Sequence, residues 1–290
     1  VDSSGREVIA NARNVVGRQS YFAELKASRR VAQPEDLVEV SIETADGNEK
    51  PVSTRGVVTV FREKWTEVWR APDGREVSGD ELAALKKGIF PPEGQYGWLR
   101  VKAEYVSEEI SRTELGTDAG GKGSFEFRPA QEGFYRIAWS SPDADGPPVQ
   151  GSANVWVSST SSEALGYRSG GVEILVDPEA AKGEGPVPVL VTTSTSGRDV
   201  FFTISADSDL FHAEVLHLDG DARLVQLERR PEYVPNVYLE AGSVHGREFF
   251  AAFEELRLPP TEHTLQLTLR SGAETYAPGA EGTVELEVKD

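Results

Sequence analysis

The chain has 290 residues, of which 48 are Asp or Glu and 30 are Lys or Arg, giving a formal net charge of −18. At about 150 residues per domain this length predicts two domains, and the negative charge argues against nucleic acid or anionic membrane as a partner. The chain contains no cysteine, which excludes disulfides, zinc–thiolate sites and cysteine nucleophiles.

The first half of the chain alternates polar and apolar residues with the period of two that half-buried strands show. Strands are predicted at 37–42, 57–61, 99–106, 124–127, 134–139 and 153–157. Clusters of Gly, Pro and Asp that favour turns separate them, as at 45–51, 118–123 and 141–148. Short strands joined by such turns predict an antiparallel sandwich.

One short helix is predicted between two of these strands. Ser78 can cap its start, and Glu81 three residues later can complete a capping box. Leu82 and Leu85 fall on one face, and Gly88 ends the helix. We interpret it as an insertion, because it is too short to be a domain.

Residues 158–166 are small, polar and without periodicity, which is typical of a linker. Alternation resumes at 171–176, 187–193, 200–205, 213–218, 222–227, 236–241, 263–269 and 283–288. The sequence therefore predicts an all-β fold of two tandem antiparallel β-sandwich domains, immunoglobulin-like in character, with one short helical insertion. We expect domains at residues 15–158 and 159–290, and residues 1–14 as the tail of a preceding domain.

A tyrosine at the start of one predicted strand resembles a known stabilising motif. Tyr135 follows Gly133 by two residues, as in the tyrosine corner of immunoglobulin-like sandwiches, where the hydroxyl bonds the neighbouring backbone. This motif predicts stability and implies no chemistry.

We predict no catalytic, cofactor or metal site, and hence no enzymatic activity. His212 and His217 are five residues apart in a predicted strand, so they lie on opposite faces and cannot hold one metal ion. His245 and His263, like these two, are interpreted as isolated surface residues. Residues 142–146 lack the glutamate and helices of a calcium loop and are predicted to form a hairpin turn. No phosphate-binding loop or nucleophile elbow occurs.

An alternative function is an adhesion or carbohydrate-binding module of a bacterial surface protein. Trp65, Trp69 and Trp98 lie within the first predicted domain and could stack on sugars. Tryptophans so placed more often fill a core or the seam between domains.

Four stretches, in the order 117–157, 167–193, 232–269 and 275–290, share turn and strand motifs with one known family. The first has a Thr-Asp…Gly turn, a Gly-x-Tyr strand and a strand ending in Trp-Val. The third contains the run Pro-Asn-Val-Tyr at 235–238, and the fourth a Tyr-x-Pro-Gly turn before a strand. These stretches resemble bacterial alpha-2-macroglobulins, in which Glu usually stands where this chain has Ala280.

The resemblance implies a part in protease trapping. In that family a protease cuts an exposed bait segment, the chain rearranges around it, and in many members a thioester then tethers the protease. The resemblance makes residues 15–158 a macroglobulin-like domain and 159–290 the bait-region domain. It implies target proteases and neighbouring macroglobulin-like domains as partners. The thioester needs a Cys-x-x-Gln pairing, so this chain carries none.

By position, the segment equivalent to bait is 242–255. Its candidate residues are Gly242, Ser243, Val244, His245, Gly246, Arg247, Glu248, Phe249 and Phe250. Arg247 suits a trypsin-like protease and Phe249 or Phe250 a chymotrypsin-like one, provided that the segment is exposed and can extend. The alternative is an ordinary strand, because Phe249, Ala251 and Phe253 recur on one face at period two.

Both ends of the chain predict that it was excised from a longer exported protein. Residues 276–279 form a turn, and 283–288 alternate like a newly opened strand. The chain has no methionine and no signal peptide. No apolar run approaches the roughly 20 residues of a membrane span. We therefore expect a periplasmic or extracellular protein that does not insert into a membrane.

Overall fold

The computed structural model describes residues 18–289 except 145, 184 and 261–264. The predicted tail at 1–14 and His263 lie outside the described residues. Strands β1 to β9 are Phe22–Ala27, Val31–Ala32, Val38–Ala45, Arg55–Arg70, Glu76–Ser78, Leu99–Gly116, Lys122–Phe127, Gly133–Ser141 and Val149–Val157, and helix α1 is Gly79–Lys86. Strands β10 to β19 are Ser161–Ser162, Val172–Val176, Val187–Thr193, Arg198–Ala206, Asp209–Leu218, Ala222–Leu227, Asn236–His245, Glu248–Arg257, Gln266–Ser271 and Val284–Lys289.

The first sandwich packs a three-stranded sheet on a larger one. The small sheet has the order β1-β3-β7, and the large one runs β2-β9-β8-β4, with β5 and β6 also paired to β4. The pairings are antiparallel except for the two-residue contact of β2 with β9. Alternate residues of β3, namely Val38, Val40 and Ile42, are fully buried against Ile137 and Trp139 of β8. The period-two pattern of the sequence thus supplies this core.

The second sandwich consists of two four-stranded antiparallel sheets. Their strand orders are β10-β15-β12-β11 and β14-β13-β16-β17. Alternate residues again form the core: Val189 and Val191 of β12 pack with Val200, Phe202 and Ile204 of β13. The all-β fold class, with tandem antiparallel sandwiches and one short helix, is confirmed.

Strands β18 and β19 form a separate hairpin. Within the described residues they pair only with each other. Their apolar side chains, including Leu267 and Leu286, are exposed. The hairpin is therefore not part of either sandwich core.

Two local predictions have different outcomes. The Tyr135 hydroxyl donates to the carbonyl of Gln131 at 2.8 Å, which confirms the tyrosine-corner geometry. The capping box is wrong: Ser78 occupies the N-cap position but its side chain makes no capping hydrogen bond. Ser78 is also the last residue of β5, and the Glu81 carboxylate pairs with the Arg75 guanidinium. The carboxylate therefore does not reach back to the helix start.

The predicted linker at 158–166 is a packed joint between the sandwiches. Ser161–Ser162 pairs with β15, and Leu165 is buried in a small apolar cluster that both sandwiches share. That cluster comprises Val31, Phe134, Trp156, Leu165, Leu175, Leu190, Ala222 and Leu224, with Tyr167 against it. The segment looked like a linker because its small polar side chains bond locally, as Ser158 does with Ser162 at 2.7 Å.

One carboxylate is buried at this joint. The Asp221 carboxylate accepts the backbone N–H of Leu165 at 2.9 Å. Burial raises the pKa of Asp221 to about 6, even though the Leu165 N–H favours the charged form; the charge of Glu132 also raises it. Asp221 therefore keeps its proton to a higher pH than an exposed aspartate does.

We expect Phe202→Ala to lower the free energy of unfolding of the second sandwich by roughly 3–5 kcal/mol, because it leaves a cavity in a packed core. Its neighbour Phe201 points outward from the same strand and is 53% exposed. Phe201→Ala is the matched control and should change stability by less than about 0.5 kcal/mol. Urea denaturation measures both, and equal losses would show that the inward and outward faces of β13 are misassigned.

Asp221→Asn should remove a pH dependence of stability. The folded-state pKa of about 6 lies above the ordinary value of 3.8, so the folded state binds the proton more tightly. The contribution of Asp221 to wild-type stability should then fall as pH rises from about 4 to 6. The stability of the Asn variant relative to wild type should increase over that interval and be constant above it. Denaturant titrations from pH 4 to 8 measure both stabilities. A stability difference between the two proteins that does not change with pH would contradict the raised pKa of Asp221.

Candidate functional site

The candidate bait residues form the end of one β-hairpin. Gly242, Ser243, Val244 and His245 end β16, Gly246 and Arg247 form the turn, and Glu248, Phe249 and Phe250 begin β17. Cross-strand pairs join Ser243 to Phe250, Val244 to Phe249 and His245 to Glu248. The structure thus brings all nine together in one hairpin, and all except the turn residues Gly246 and Arg247 have the strand conformation of the alternative interpretation. A bait role for them stays a prediction.

The two candidate phenylalanines point to opposite faces of the sheet. Phe250 packs against the core of the second sandwich and covers Gly171, where an added Cβ would lie 2.2 Å from the ring. Phe249 points outward and is 70% exposed. Of these two side chains, only Phe249 is available to the binding pocket of a protease without disturbing the core.

The turn of the hairpin contacts the helical insertion of the first sandwich, which we define as residues 79–98. The Arg247 side chain is 81% exposed, and its Nη2 lies 2.5 Å from Glu93 Oε1. Gly246 has a φ of +63°, and a Cβ there would stand 3.6 Å from the Ile89 side chain. Both contacts join the turn to the segment that follows α1.

Arg198, at the start of β13, bonds the same insertion. Its Nη2 donates to the carbonyls of Lys86 at 3.2 Å and Lys87 at 2.9 Å, at the C-terminal end of α1. Its Nε donates to Thr195 Oγ1 at 2.8 Å, and Nη2 lies 3.3 Å from His245 Nε2. One guanidinium therefore links the insertion to both β13 and the hairpin tip.

His245 is held in its neutral form at this contact. Burial, and then the neighbouring charge of Arg198, lower the pKa of His245 below its usual value of 6.5. A neutral ring leaves Nε2 able to accept a hydrogen from the Arg198 guanidinium. Arg198 and the neutral His245 can therefore lie in contact at neutral pH without repulsion between two positive charges.

A long two-stranded ribbon carries the insertion to the second sandwich. β4 pairs with β6 along Arg55–Arg70, whereas β8 pairs only with residues 57–63 of β4. The outer part of the ribbon therefore projects past the first sandwich. There the backbone N–H of Trp65 donates to the Gly166 carbonyl at 2.7 Å, and the Arg168 guanidinium lies 4.7 Å from the Trp65 ring.

A buried carboxylate ties α1 to this ribbon. Glu67 accepts the indole N–H groups of Trp65 and Trp69, both at 2.8 Å, and the Lys86 ammonium at 2.6 Å. Burial opposes ionisation, but the hydrogen bonds from Lys86, Trp69 and Trp65 outweigh it and lower the pKa of Glu67 to about 2. Lys86 lies in the last turn of α1, so the helix is fixed beside the strand.

The three tryptophans of the carbohydrate-binding alternative belong to this packing. Phe90 makes edge contacts with both Trp69 and Trp98, with ring centroids 5.1 Å apart in each case. Trp65 makes an edge contact with Tyr105 at 5.0 Å. Their rings and two of their N–H groups therefore fix the insertion instead of forming a row for stacking on sugars.

The other candidate residues show no shared site. His217 Nδ1 lies 2.7 Å from Asp199 Oδ1, while His212 Nε2 lies 3.2 Å from Glu214 Oε1. In the part of the chain that is described, no group of three or more His, Asp or Glu could hold a metal ion. The 142–148 loop joins β8 to β9 as the predicted hairpin. No helix of the described ranges has the length and apolarity of a membrane span.

Sequence reasoning missed the contacts of Arg198, Glu93 and Glu67. Arg198 and Glu93 act across more than a hundred residues of chain, and their surroundings show no motif. Glu67 had a detectable signal, because Trp65, Glu67 and Trp69 alternate on one face of a strand.

We expect Glu67→Gln to lower the free energy of unfolding by roughly 2 kcal/mol at pH 7, because charged hydrogen bonds are lost. The folded-state pKa of about 2 lies below the ordinary value of 4.5, so this contribution is present above pH 4.5 and is lost as pH falls towards 2. Denaturation at several pH values measures the difference from wild type. The control is Glu76→Gln, which breaks the exposed pair with Arg70 and should cost less than about 1 kcal/mol. Equal effects of the two variants would contradict the special role of Glu67.

The chain is similar to known proteins in both sequence and structure. No family model matches it. It is 24% identical over 230 residues to an alpha-2-macroglobulin homolog of Nostoc sp., covering 74% of this chain, and 27% identical over 212 residues to the alpha-2-macroglobulin of Ralstonia nicotianae, covering 69%. The chain spans only 12% of the length of either relative.

Two solved structures are similar over most of the chain. Salmonella alpha-2-macroglobulin reacted with methylamine covers 100% of this chain at 15% identity and a TM-score of 0.33, the match being 18% of that chain. Escherichia coli alpha-2-macroglobulin activated by porcine elastase covers 90% at 13% identity and a TM-score of 0.30, the match being 24% of that chain. Both scores are below 0.5, so the likeness to these proteins rests on the sequence relatives and on the motifs in the turns and strands. By its sequence, this chain is similar to bacterial alpha-2-macroglobulins.

Proposed function

We propose that this chain is a non-enzymatic part of a protease-trapping alpha-2-macroglobulin. In this proposal residues 15–158 are a macroglobulin-like domain and residues 159–290 the bait-region domain. The partners are target proteases and the neighbouring macroglobulin-like domains of the same protein. The location is periplasmic or extracellular.

The observation that carries the proposal is the exposed tip of the β16–β17 hairpin. The tip falls within the segment that the family resemblance equates with bait, and Arg247 at the turn is 81% exposed. Phe249, two residues further, is also exposed. An exposed loop tip is a preferred site of proteolytic cutting.

Cutting requires the end of the hairpin to open. A protease binds its substrate as an extended strand, so the pairs of Ser243 with Phe250, Val244 with Phe249 and His245 with Glu248 have to separate. Hairpin ends open at a lower free-energy cost than core strands, because fewer contacts are lost. The proposal therefore requires local opening and leaves both cores intact.

We expect trypsin under native conditions to cut first between Arg247 and Glu248, and chymotrypsin first after Phe249. The fragments ending at these residues are identified by mass spectrometry over a time course. Arg247→Gln should abolish the trypsin fragment and leave the chymotrypsin fragment unchanged, because the backbone conformation is retained.

The control substitution is Arg257→Gln at the other end of β17, where the side chain is also 80% exposed. It should leave the Arg247 cut unchanged. A hairpin that remains uncut while loops elsewhere in the chain are cut would contradict the proposal.

A further inference from the structure

We propose that Arg198 pins the β16–β17 tip to the helical insertion and so controls how often the tip opens to a protease. The proposal rests on the proposed function for its biological meaning, whereas the pinning itself concerns the structure alone. Arg198 is a positioning residue in this scheme: it acts on the accessibility of Arg247 without contacting it.

The insertion and the tip have no chain connection near this contact. Residues 79–98 belong to the first sandwich, and residues 243–250 come about 150 positions later in the second. Arg198 bonds the carbonyls of Lys86 and Lys87 on one side and approaches His245 on the other. The tip is therefore held from the side of the insertion as well as by its own strand pairs.

The insertion is a firm support for this contact. The Lys86 ammonium donates a hydrogen bond to the Glu67 carboxylate, and Leu82 of α1 is buried, so the helix is held against the ribbon. The carbonyls of Lys86 and Lys87 are at the end of the helix, where carbonyl groups lack partners within the helix and the helix dipole favours a cation. The Arg198 guanidinium donates hydrogen bonds to these carbonyls, and it places a positive charge at the C-terminal end of the helix dipole.

Arg198 and Glu93 differ in how strongly they can hold the hairpin tip against the insertion. The Glu93–Arg247 pair is exposed, at 56% and 81% of the two side chains, and exposed ion pairs stabilise little. Arg198 is partly buried and bonds two carbonyls and Thr195. Hydrogen bonds from a charged group in such surroundings are stronger than exposed pairs. Arg198 is therefore assigned the main effect and Glu93 a minor one.

The test measures hydrogen exchange and trypsin cutting on the same full-length variants. Arg198→Ala should increase the exchange of amides in 79–98 and in 243–250, and should raise the rate of cutting after Arg247 about tenfold. Arg198→Lys keeps the charge but cannot bond all partners at once, so a smaller increase is expected; it also serves if the Ala variant does not fold. Glu93→Gln should change the rate less than about threefold.

Arg229→Ala is the matched control. The Arg229 guanidinium also donates to backbone carbonyls, those of Ala180, Ala181 and Gly185, but all of them lie within the second sandwich and away from the tip. It should leave exchange in 79–98 and the rate of cutting after Arg247 unchanged.

The outcomes separate the two proposals. Faster exchange at both segments in Arg198→Ala and Arg198→Lys supports the pinning, whether or not trypsin cuts after Arg247. If trypsin never cuts after Arg247, the bait function fails while the pinning stands. Cutting after Arg247 at the same rate in wild type and both Arg198 variants, with unchanged exchange, overturns the pinning and leaves the bait function standing.

Discussion

The Arg198 guanidinium lies where three parts of the chain meet: the end of helix α1, the first residue of β13 and the tip of the β16–β17 hairpin. An isolated guanidinium cannot be buried even partly without partners, because the loss of its hydration has to be compensated by hydrogen bonds. The carbonyls at the end of α1 supply them. The position of the insertion against the second sandwich, and hence the environment of the hairpin tip, depends on that match.

A second contact between the sandwiches lies at the joint. There Phe134 and Trp156 of the first sandwich and Tyr167 of the second have ring centroids 5.1 to 5.3 Å apart, and the Phe134 N–H donates to the Leu165 carbonyl. The β4–β6 ribbon extends from the first sandwich to the insertion. The two sandwiches are therefore in contact both beside their covalent connection and at the hairpin tip. The contact at the hairpin tip joins groups that are far apart in sequence.

The sequence predicts most of the fold because strand alternation is a local signal. Strands β12 and β15 begin and end where predicted, and most of the other predicted strands differ at their ends. Strands β1, β2, β5 and β10 have no predicted counterpart. β4 runs to Arg70 instead of ending near Phe61. Residues 62–70 are mostly charged or aromatic, and beyond residue 63 they lie on the projecting ribbon, where no sandwich core enforces alternation. The joint was mistaken for a linker because burial of Leu165 depends on partners from both sandwiches.

The candidate site was predictable only in part. The segment 242–250 was recognised from motifs that surround it, and its period-two pattern predicted the strands that the structure shows. Its surroundings were not predictable, since Arg198 and Glu93 come from other segments and their roles follow from the packing of one sandwich on the other. The capping box failed for a similar reason: Arg75, directly before strand β5, pairs with the Glu81 carboxylate.

The most direct test of this account is the distance between the insertion and the hairpin in solution. Because the chain has no cysteine, spin labels can be attached through Ala83→Cys on α1 and Ala251→Cys on β17, both exposed positions. Pulsed electron paramagnetic resonance then gives the distribution of distances between the two spin labels. We expect one narrow distribution that broadens when Arg198 is replaced by Ala. A broad distribution in the protein with Arg198 intact would show that the insertion and the hairpin move independently, and would contradict the account.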